Sequence, residues 1–397
     1  METILIFGAG DNQRTLIKSA KRLGYRTLVI DPNTDAPAKN EADVFEVVGA
    51  KDKEATIAIA KKYNVNGIVT CQMENPLILM AEVAQECGFI FPTKESILKA
   101  RNKWFMKKSF IENNVPCAKG VIINNGTTEV SNLISEFEFP LIIKPLDSFS
   151  SRGVYKVNTL DEIKNFVSNT KTFSSNGDII IEEFMEGPEV SVESITQNGV
   201  TEIIQITDKV ITPYPTAVEM GHIQPSNHTQ EVQNAIKSIV KNAISALALD
   251  NCATHAEVKI TPQGVKMVEI GARLGGDYIT SHLVPLSTGV NIEAAAIQVA
   301  MGKKPELKHR FSQGAVIQYI ELPVGKKITS IDNWEKVLED ACVKHALIWA
   351  KTGDVVLPIT DSAKRMGFVI VQKENREAAI DVSQSSINLL KNHIFYI

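Results

Sequence analysis

Over its first 93 residues the chain alternates short apolar runs with amphipathic stretches, and this alternation limits the fold more than any other feature. Thr3 to Phe7 is apolar, Gly8-Ala9-Gly10 makes a turn, and Asn12 to Leu23 has helical periodicity. Thr27 to Ile30 is a second apolar run, ending at Asp31. Further strands are expected at Val44 to Val48, Gly67 to Thr70 and Phe89 to Phe91, with helices over Lys53 to Tyr63 and Pro76 to Cys87. Strands separated by helices pair in parallel, and a parallel sheet needs both faces covered. Residues 1–93 are therefore expected to form a doubly wound, Rossmann-like α/β domain.

Beyond Pro92 the pattern changes. Thr93 is a plausible N-cap for a helix running to about Asn113, where Asn113-Asn114-Val115-Pro116 stops it. Short strand runs (Gly120 to Ile123, Leu141 to Lys144, Val154 to Val157, Asp178 to Glu182) surround helices near Val130 to Glu136 and Leu160 to Asn169. A strand-rich stretch from Glu189 to Ile206 and a helix over about Glu231 to Leu247 follow. Ala253 to Ile260 and Gly264 to Ile270 read as a hairpin through Thr261-Pro262-Gln263. Helix Ile292 to Met301 comes next, and the C-terminal part holds short strands and a last helix, Glu377 to Leu390. At 397 residues, two or three packed domains are expected: 1–93, 94–305 and an α+β unit over 306–397.

The net charge of −4 gives no reason to expect nucleic acid or an anionic membrane as partner. No apolar run approaches the roughly 18–20 residues of a membrane span, and the first residues lack the pattern of a signal peptide. Five scattered cysteines with no CxxC pair speak against disulfides and cysteine zinc sites, and a cytoplasmic location is expected.

Gly8-Ala9-Gly10 opens like a dinucleotide fingerprint, with Asp31 where a ribose-binding acid would sit. The third glycine falls at Gln13, so a plain turn is the better reading. The informative residues come later. Lys144 ends the apolar run Phe139 to Pro145, and an unpaired buried ammonium is costly, so it must meet water or an anion. Taken on its own, a lysine snorkelling from a strand end is the better reading of this residue. Ser148-Phe149-Ser150-Ser151-Arg152-Gly153 could close its N–H and hydroxyl groups over phosphates, or form an ordinary turn. In Ile179 to Glu189 an apolar strand ends in Glu182-Glu183-Phe184-Met185, then Gly187-Pro188-Glu189. That order suits a purine: an edge acceptor, an apolar slot and a carboxylate for the ribose, although a charged strand end explains it as readily. Glu257 and Glu269 each interrupt an apolar strand of the hairpin, and Arg273 follows. Two hard carboxylates facing each other suit Mg²⁺ on nucleotide phosphates better than zinc or copper.

In order and spacing, Lys103, Lys144, the Ser148–Gly153 loop, Glu182 to Glu189 and the Glu257/Glu269/Arg273 hairpin resemble the ATP-grasp superfamily of carboxylate–amine ligases. The resemblance implies an N-terminal pre-ATP-grasp domain, an ATP-grasp core with a mobile lid over about 118–186, and a small C-terminal domain. It implies Lys103, Lys144 and the loop residues Ser150, Ser151 and Gly153 on the phosphates. It likewise places Glu182, Glu183, Phe184 and Met185 around adenine, Glu189 on the ribose, and Glu257 and Glu269 on Mg²⁺, with Mn²⁺ as the alternative. Arg273 would steady an acyl phosphate. Glu269 to Asp277 and Glu219-Met220-Gly221-His222 look most like the L-amino-acid (dipeptide) ligase branch, in which Glu219 and His222 would approach substrate and phosphate. Phosphoribosylglycinamide synthetase and biotin carboxylase share the layout. The partners implied are a small carboxylate and an amine; dimers are common in the family, and the sequence leaves a homodimer open. Three positions depart from the pattern: Asn102 replaces an acid before the first lysine, the lid loop is poor in glycine, and Gly271 replaces an asparagine after Glu269. A nucleotide-binding module without catalysis is the reading from another class.

Overall fold

A computed structural model describes residues 1–127, 130–148, 152–214 and 216–397. Strands β1 (Thr3–Phe7), β2 (Arg26–Asp31), β3 (Val44–Val47) and β4 (Val65–Val69) form a parallel sheet in the order β3-β2-β1-β4. Helices Arg14–Arg22, Lys53–Lys62 and Leu77–Cys87 lie between or after these strands. The expected strand at Phe89 to Phe91 does not form. Gly88 ends the preceding helix in a left-handed conformation, and Phe89 and Phe91 pack onto the core from an irregular segment.

The glycine turn after β1 is closed by the protein itself. Asp31 accepts from the Ala9 N–H at 2.8 Å, Gln13 accepts from the Gly10 N–H at 3.0 Å, and a side chain at Gly8 would strike Met73. Asp31 and Gln13 are thus spent on the turn.

The single helix expected over 94–113 is two, Lys94–Arg101 and Lys103–Glu112. Asn102 adopts extended backbone between them, and its side-chain oxygen accepts from the N–H groups of Trp104 and Phe105. Asparagine and aspartate serve about equally as N-caps, so the missing acid before Lys103 is replaced by a residue with the same capping chemistry.

Strands β5 (Gly120–Ile123), β6 (Leu141–Pro145), β7 (Tyr155–Val157) and β8 (Ile179–Glu183) make an antiparallel sheet, order β5-β8-β6-β7. It has its own small core of Ile123, Leu141, Ile143, Val157, Ile163 and Ile181. Strands β9 (Glu189–Gln197), β10 (Val200–Ile211), β11 (Glu219–Gln224), β12 (Cys252–Thr261) and β13 (Gly264–Gly271) belong to the large sheet. Of the C-terminal strands β14 (Gly314–Tyr319), β15 (Ile328–Ile331), β16 (Val343–Ile348), β17 (Gly367–Lys373) and β18 (Ile394–Tyr396), three extend that same sheet. Its order is β13-β12-β9-β10-β11-β14-β17-β16, so β11 is bonded on one side to β10 and on the other to the C-terminal part. Among the described residues, no single helix is long and apolar enough to cross a membrane.

The N-terminal layer meets the rest through a buried acid. Glu293, on helix Ile292–Ala300, accepts from the Thr15 hydroxyl at 2.7 Å and the Ser19 hydroxyl at 3.4 Å. Burial pushes its pKa up to about 7 against those hydroxyls and Arg22. The folded state therefore holds this proton more tightly than the unfolded chain. The stabilisation is complete below the ordinary glutamate value of 4.5 and is lost as pH rises toward and through about 7. Replacing Glu293 with Gln keeps the hydrogen bonds without the charge. The variant's stability relative to wild type, measured by denaturant titration, is expected to rise between pH 4.5 and 8 by up to about 3 kcal/mol. A difference independent of pH would contradict this.

Candidate active site

The antiparallel sheet of residues 120–183 and the large sheet face each other across a cavity of about 520 Å³, a size typical of small-molecule sites. Its floor is the β12–β13 hairpin. Glu257 and Glu269 are direct cross-strand partners there, and both line the cavity. Like charges directly opposite each other repel, and two lysines answer them. Lys103 Nζ, at the start of its helix, lies 2.9 Å from Glu269. Lys209 Nζ, on β10, lies 2.7 Å from Glu257, 2.6 Å from Glu189 and 3.8 Å from Glu219. Burial works against the Lys209 charge, but Glu189, Glu257 and Glu219 outweigh it and hold the ammonium well above the usual lysine range. Burial likewise opposes ionisation of Glu257, and Lys209 and His255 override it, so its carboxyl lies well below the usual range. His255 is itself tied to the buried Glu193 at 2.5 Å, which pushes its pKa up to about 9 despite burial.

The opposite wall carries a second buried charge cluster. Glu182 on β8 lies 2.5 Å from Lys144 on β6 and 2.9 Å from Lys107 on helix Lys103–Glu112. Lys107 also donates to the Ala118 carbonyl. All three side chains are less than a tenth exposed. Burial disfavours the Glu182 charge, and Lys144 and Lys107 together more than offset this, lowering its pKa. Beside them is an apolar slot. Phe184 meets the edge of Tyr214 at 5.1 Å between centroids, and Lys156 Nζ stands 3.9 Å from the Phe184 ring centre. Met185 and Glu189 complete this end of the lining, while Glu183 accepts from the Lys119 N–H on the rim.

At the far end Arg273 pairs with Glu74, Nε to Oε1 at 2.7 Å. Glu74 follows β4 in the N-terminal sheet and fills the space a side chain at Gly271 would need: a Cβ there would sit 2.5 Å from its Oε1. Gly271 thus admits Glu74 where the family pattern has an asparagine. His222 and Glu219 also line the cavity, and burial pushes the Glu219 pKa up, countered in part by Lys209.

The cavity therefore gathers Lys103, Lys144, Glu182, Glu183, Phe184, Met185, Glu189, Glu219, His222, Glu257, Glu269 and Arg273. Ser150 and Ser151 lie outside the described residues. Gly153 is buried at φ +74°, beside Phe173, and is not among the lining residues, whereas its neighbours Arg152 and Val154 are. Sequence reasoning missed Lys107, Lys209, Glu74, Asp277 and Arg365. Lys107 follows Lys103 by one helical turn, and Glu74 lies past the carboxyl end of a parallel strand, where open α/β sheets bind ligands. Those two signals were present; Arg365 gave none.

Three family models match consecutive parts of the chain: a ribonucleotide synthetase pre-ATP-grasp domain over residues 1–100, an ATP-grasp domain over 137–281, and an L-amino acid ligase C-terminal domain 2 over 319–393. The chain belongs to the ATP-grasp carboxylate–amine ligases. Alanine–anticapsin ligase of Bacillus subtilis is 27% identical over 251 residues, which cover 56% of this chain and 51% of that protein. The L-amino acid ligase of Bacillus licheniformis superposes with a TM-score of 0.82 at 20% identity, covering 100% of this chain and 98% of the other. Phosphoribosylglycinamide synthetase of Anaerococcus prevotii gives 0.78 at 22% identity, covering 100% and 99%. These likenesses establish the ATP-grasp fold across the whole chain, with its pre-ATP-grasp and C-terminal parts.

Within this ATP-grasp cleft, Glu182 depends on two cations. Lys107→Met leaves it with Lys144 alone and is expected to cost roughly 3 kcal/mol in chemical denaturation. Adding Glu182→Gln should recover most of that loss. A Lys107→Met variant as stable as wild type would show that Lys107 does not support Glu182.

Proposed function

We propose that the protein uses ATP to activate a carboxylate as its acyl phosphate and passes the acyl group to an amine, with amino acids as the favoured substrates. The observation that carries this reading is the pairing of Glu257 and Glu269 on one hairpin, facing the Lys144–Glu182 wall across a shared cleft. The match of residues 319–393 to an L-amino acid ligase C-terminal domain favours amino acids over the phosphoribosylamine of purine-pathway ligases.

On this reading adenine enters the Phe184–Tyr214 slot, with Glu182 and the backbone at Phe184 and Met185 reading its edge and Glu189 near the ribose. Lys103 and Lys144 turn from their glutamates to the phosphates, exchanging one anionic partner for another. The metal site fits the residues present. No group of three or more His, Cys, Asp or Glu side chains suited to a metal occurs among the described residues. Two carboxylates are what Mg²⁺ needs when phosphate oxygens and water complete its shell, and Mn²⁺ is compatible with the same pair. The bound metal would withdraw electron density from the terminal phosphate and offset its charge. As the substrate carboxylate attacks the terminal phosphorus, the bond from that phosphorus to the ADP oxygen breaks and ADP leaves with the electron pair; Arg273, fixed by Glu74, steadies the oxygens where charge accumulates. The amine then forms its bond to the acyl carbon and gives up a proton to water or the departing phosphate, the carbon–oxygen bond to phosphate breaks, and phosphate leaves with the electron pair. Glu219 and His222 flank this end. The lid sheet keeps water from the acyl phosphate.

A phosphate-release screen with ATP, Mg²⁺ and pairs of amino acids is expected to reveal ADP formation that requires both a carboxylate and an amine. In Glu269→Gln turnover should fall at least about 100-fold with the fold intact by circular dichroism. Full activity in that variant contradicts the metal assignment. Tight ATP binding with no turnover for any pair would favour a non-catalytic nucleotide-binding module.

A further inference from the structure

Strand β11 carries Glu219 and His222, and the C-terminal part of the chain grips it at both ends. At its start, Arg365 Nη1 donates to the Glu219 carbonyl at 3.2 Å. Just past its end, Arg376 Nη1 donates to the Pro225 carbonyl at 2.6 Å, and its Nη2 pairs with Asp208 at 2.8 Å. Along its length it is bonded to β14.

Arg365 does more than hold a strand. Its guanidinium lies 3.8 Å from the centre of the Tyr319 ring, and its fork closes on Asp277, Nη1 to Oδ2 at 2.7 Å and Nη2 to Oδ1 at 2.9 Å. Nε is spent on the Ser362 carbonyl at 3.0 Å. A flat ring beneath and three partners around fix the guanidinium in one plane. Asp277 therefore has a fixed orientation too, and its Oδ2 lies 3.3 Å from His222 Nε2. An ionised carboxylate only accepts hydrogen bonds, so this contact requires the proton on Nε2. Asp277 and Tyr278 both have positive φ, +50° and +60°, a conformation costly for a bulky side chain such as tyrosine. Such backbone persists where surrounding contacts impose it, and the Arg365 fork is the contact at hand. Asp277, His222, Glu219 and Ser362 all line the cavity.

We infer that Arg365 is a positioning residue for the amine end of the cleft: through Asp277 it sets the orientation of His222, and through the Glu219 carbonyl it sets the start of β11. The inference rests on the ligase reading above and extends it, since it assigns the C-terminal part a share in acceptor recognition. A loop residue of that part, distant in sequence from every nucleotide-contacting group, would then govern how the second substrate is held, while the nucleotide half of the cleft would be indifferent to it.

The test uses the full-length protein with a substrate pair found active in the phosphate-release screen. Arg365→Met should lower kcat/KM for the amine roughly 100-fold, the scale of a misplaced contact, and leave KM for ATP unchanged. Arg365→Lys keeps the charge without the fork and should recover only part of the loss. The double variant Arg365→Met/Asp277→Asn removes both charges. It should regain the melting temperature lost in the single variant without regaining amine kcat/KM. Equal losses for ATP and amine, or recovery of activity along with stability, would overturn the inference. A wild type silent with every pair would instead sink the ligase reading, and one further arm is independent of activity. In protein labelled with ¹⁵N-histidine, the His222 Nε2 resonance, assigned by its loss in His222→Gln, should shift in Arg365→Met. An unmoved resonance overturns the inference by itself.

Discussion

The charged groups of this cleft are tolerable only in pairs. Glu257 and Glu269 face each other on one hairpin, each with a lysine at hydrogen-bond distance, and Glu182 is buried on the opposite wall, where its charge would be costly without a cation. The cations come from three places: Lys144 from the sheet above, Lys103 and Lys107 from the helix between, and Lys209 from the sheet below. Electrostatic pairing thus ties together the layers that must surround a triphosphate, and the lysines already stand where polyphosphate charge would be met. On the proposed reading, exchanging a carboxylate for a phosphate would keep each ammonium paired, so that a nucleotide could enter without leaving a buried charge exposed to an apolar wall.

Much of this was legible in the chain because local rules dominate it. Alternating runs forecast the parallel sheet, and two strand runs joined through Thr261-Pro262-Gln263 announced the hairpin, whose register places Glu257 opposite Glu269. The purine-like sequence from Glu182 to Glu189 marked one end of the cavity. Where local reading failed, a nonlocal contact had prevailed. Phe89 and Phe91 look like strand residues but are recruited by the core after a left-handed glycine. Gly153 looks like a phosphate-loop glycine, yet it lies against Phe173. Asn102 looked like a loss and proved to be a cap. Lys209 and Arg365 matter because of which strands and loops neighbour one another, and a pairing order such as β10-β11-β14 is not written in any local pattern.

The continuity of the large sheet has a consequence for substrate choice. On the proposed reading nucleotide contacts fall on the lid sheet, the helix beginning at Lys103 and the hairpin, while the acceptor would meet β11, the segment after Arg273 and side chains of the N- and C-terminal parts. Glu74 arrives from the first and Arg365 from the last, each on a partner already in the cleft, Arg273 and Asp277. On that reading, a nucleotide site combined with acceptor contacts from flanking parts would let one fold serve ligases that differ in what they join.

The most direct test of the central claim is a crystal structure of the protein with Mg²⁺ and ADP. The account predicts that Lys144 leaves Glu182 and Lys103 leaves Glu269 for phosphate oxygens, that Glu257 and Glu269 would hold the metal, and that Lys107 stays on Glu182. Nucleotide bound elsewhere, or bound here with Lys103 and Lys144 still on their glutamates, would contradict it.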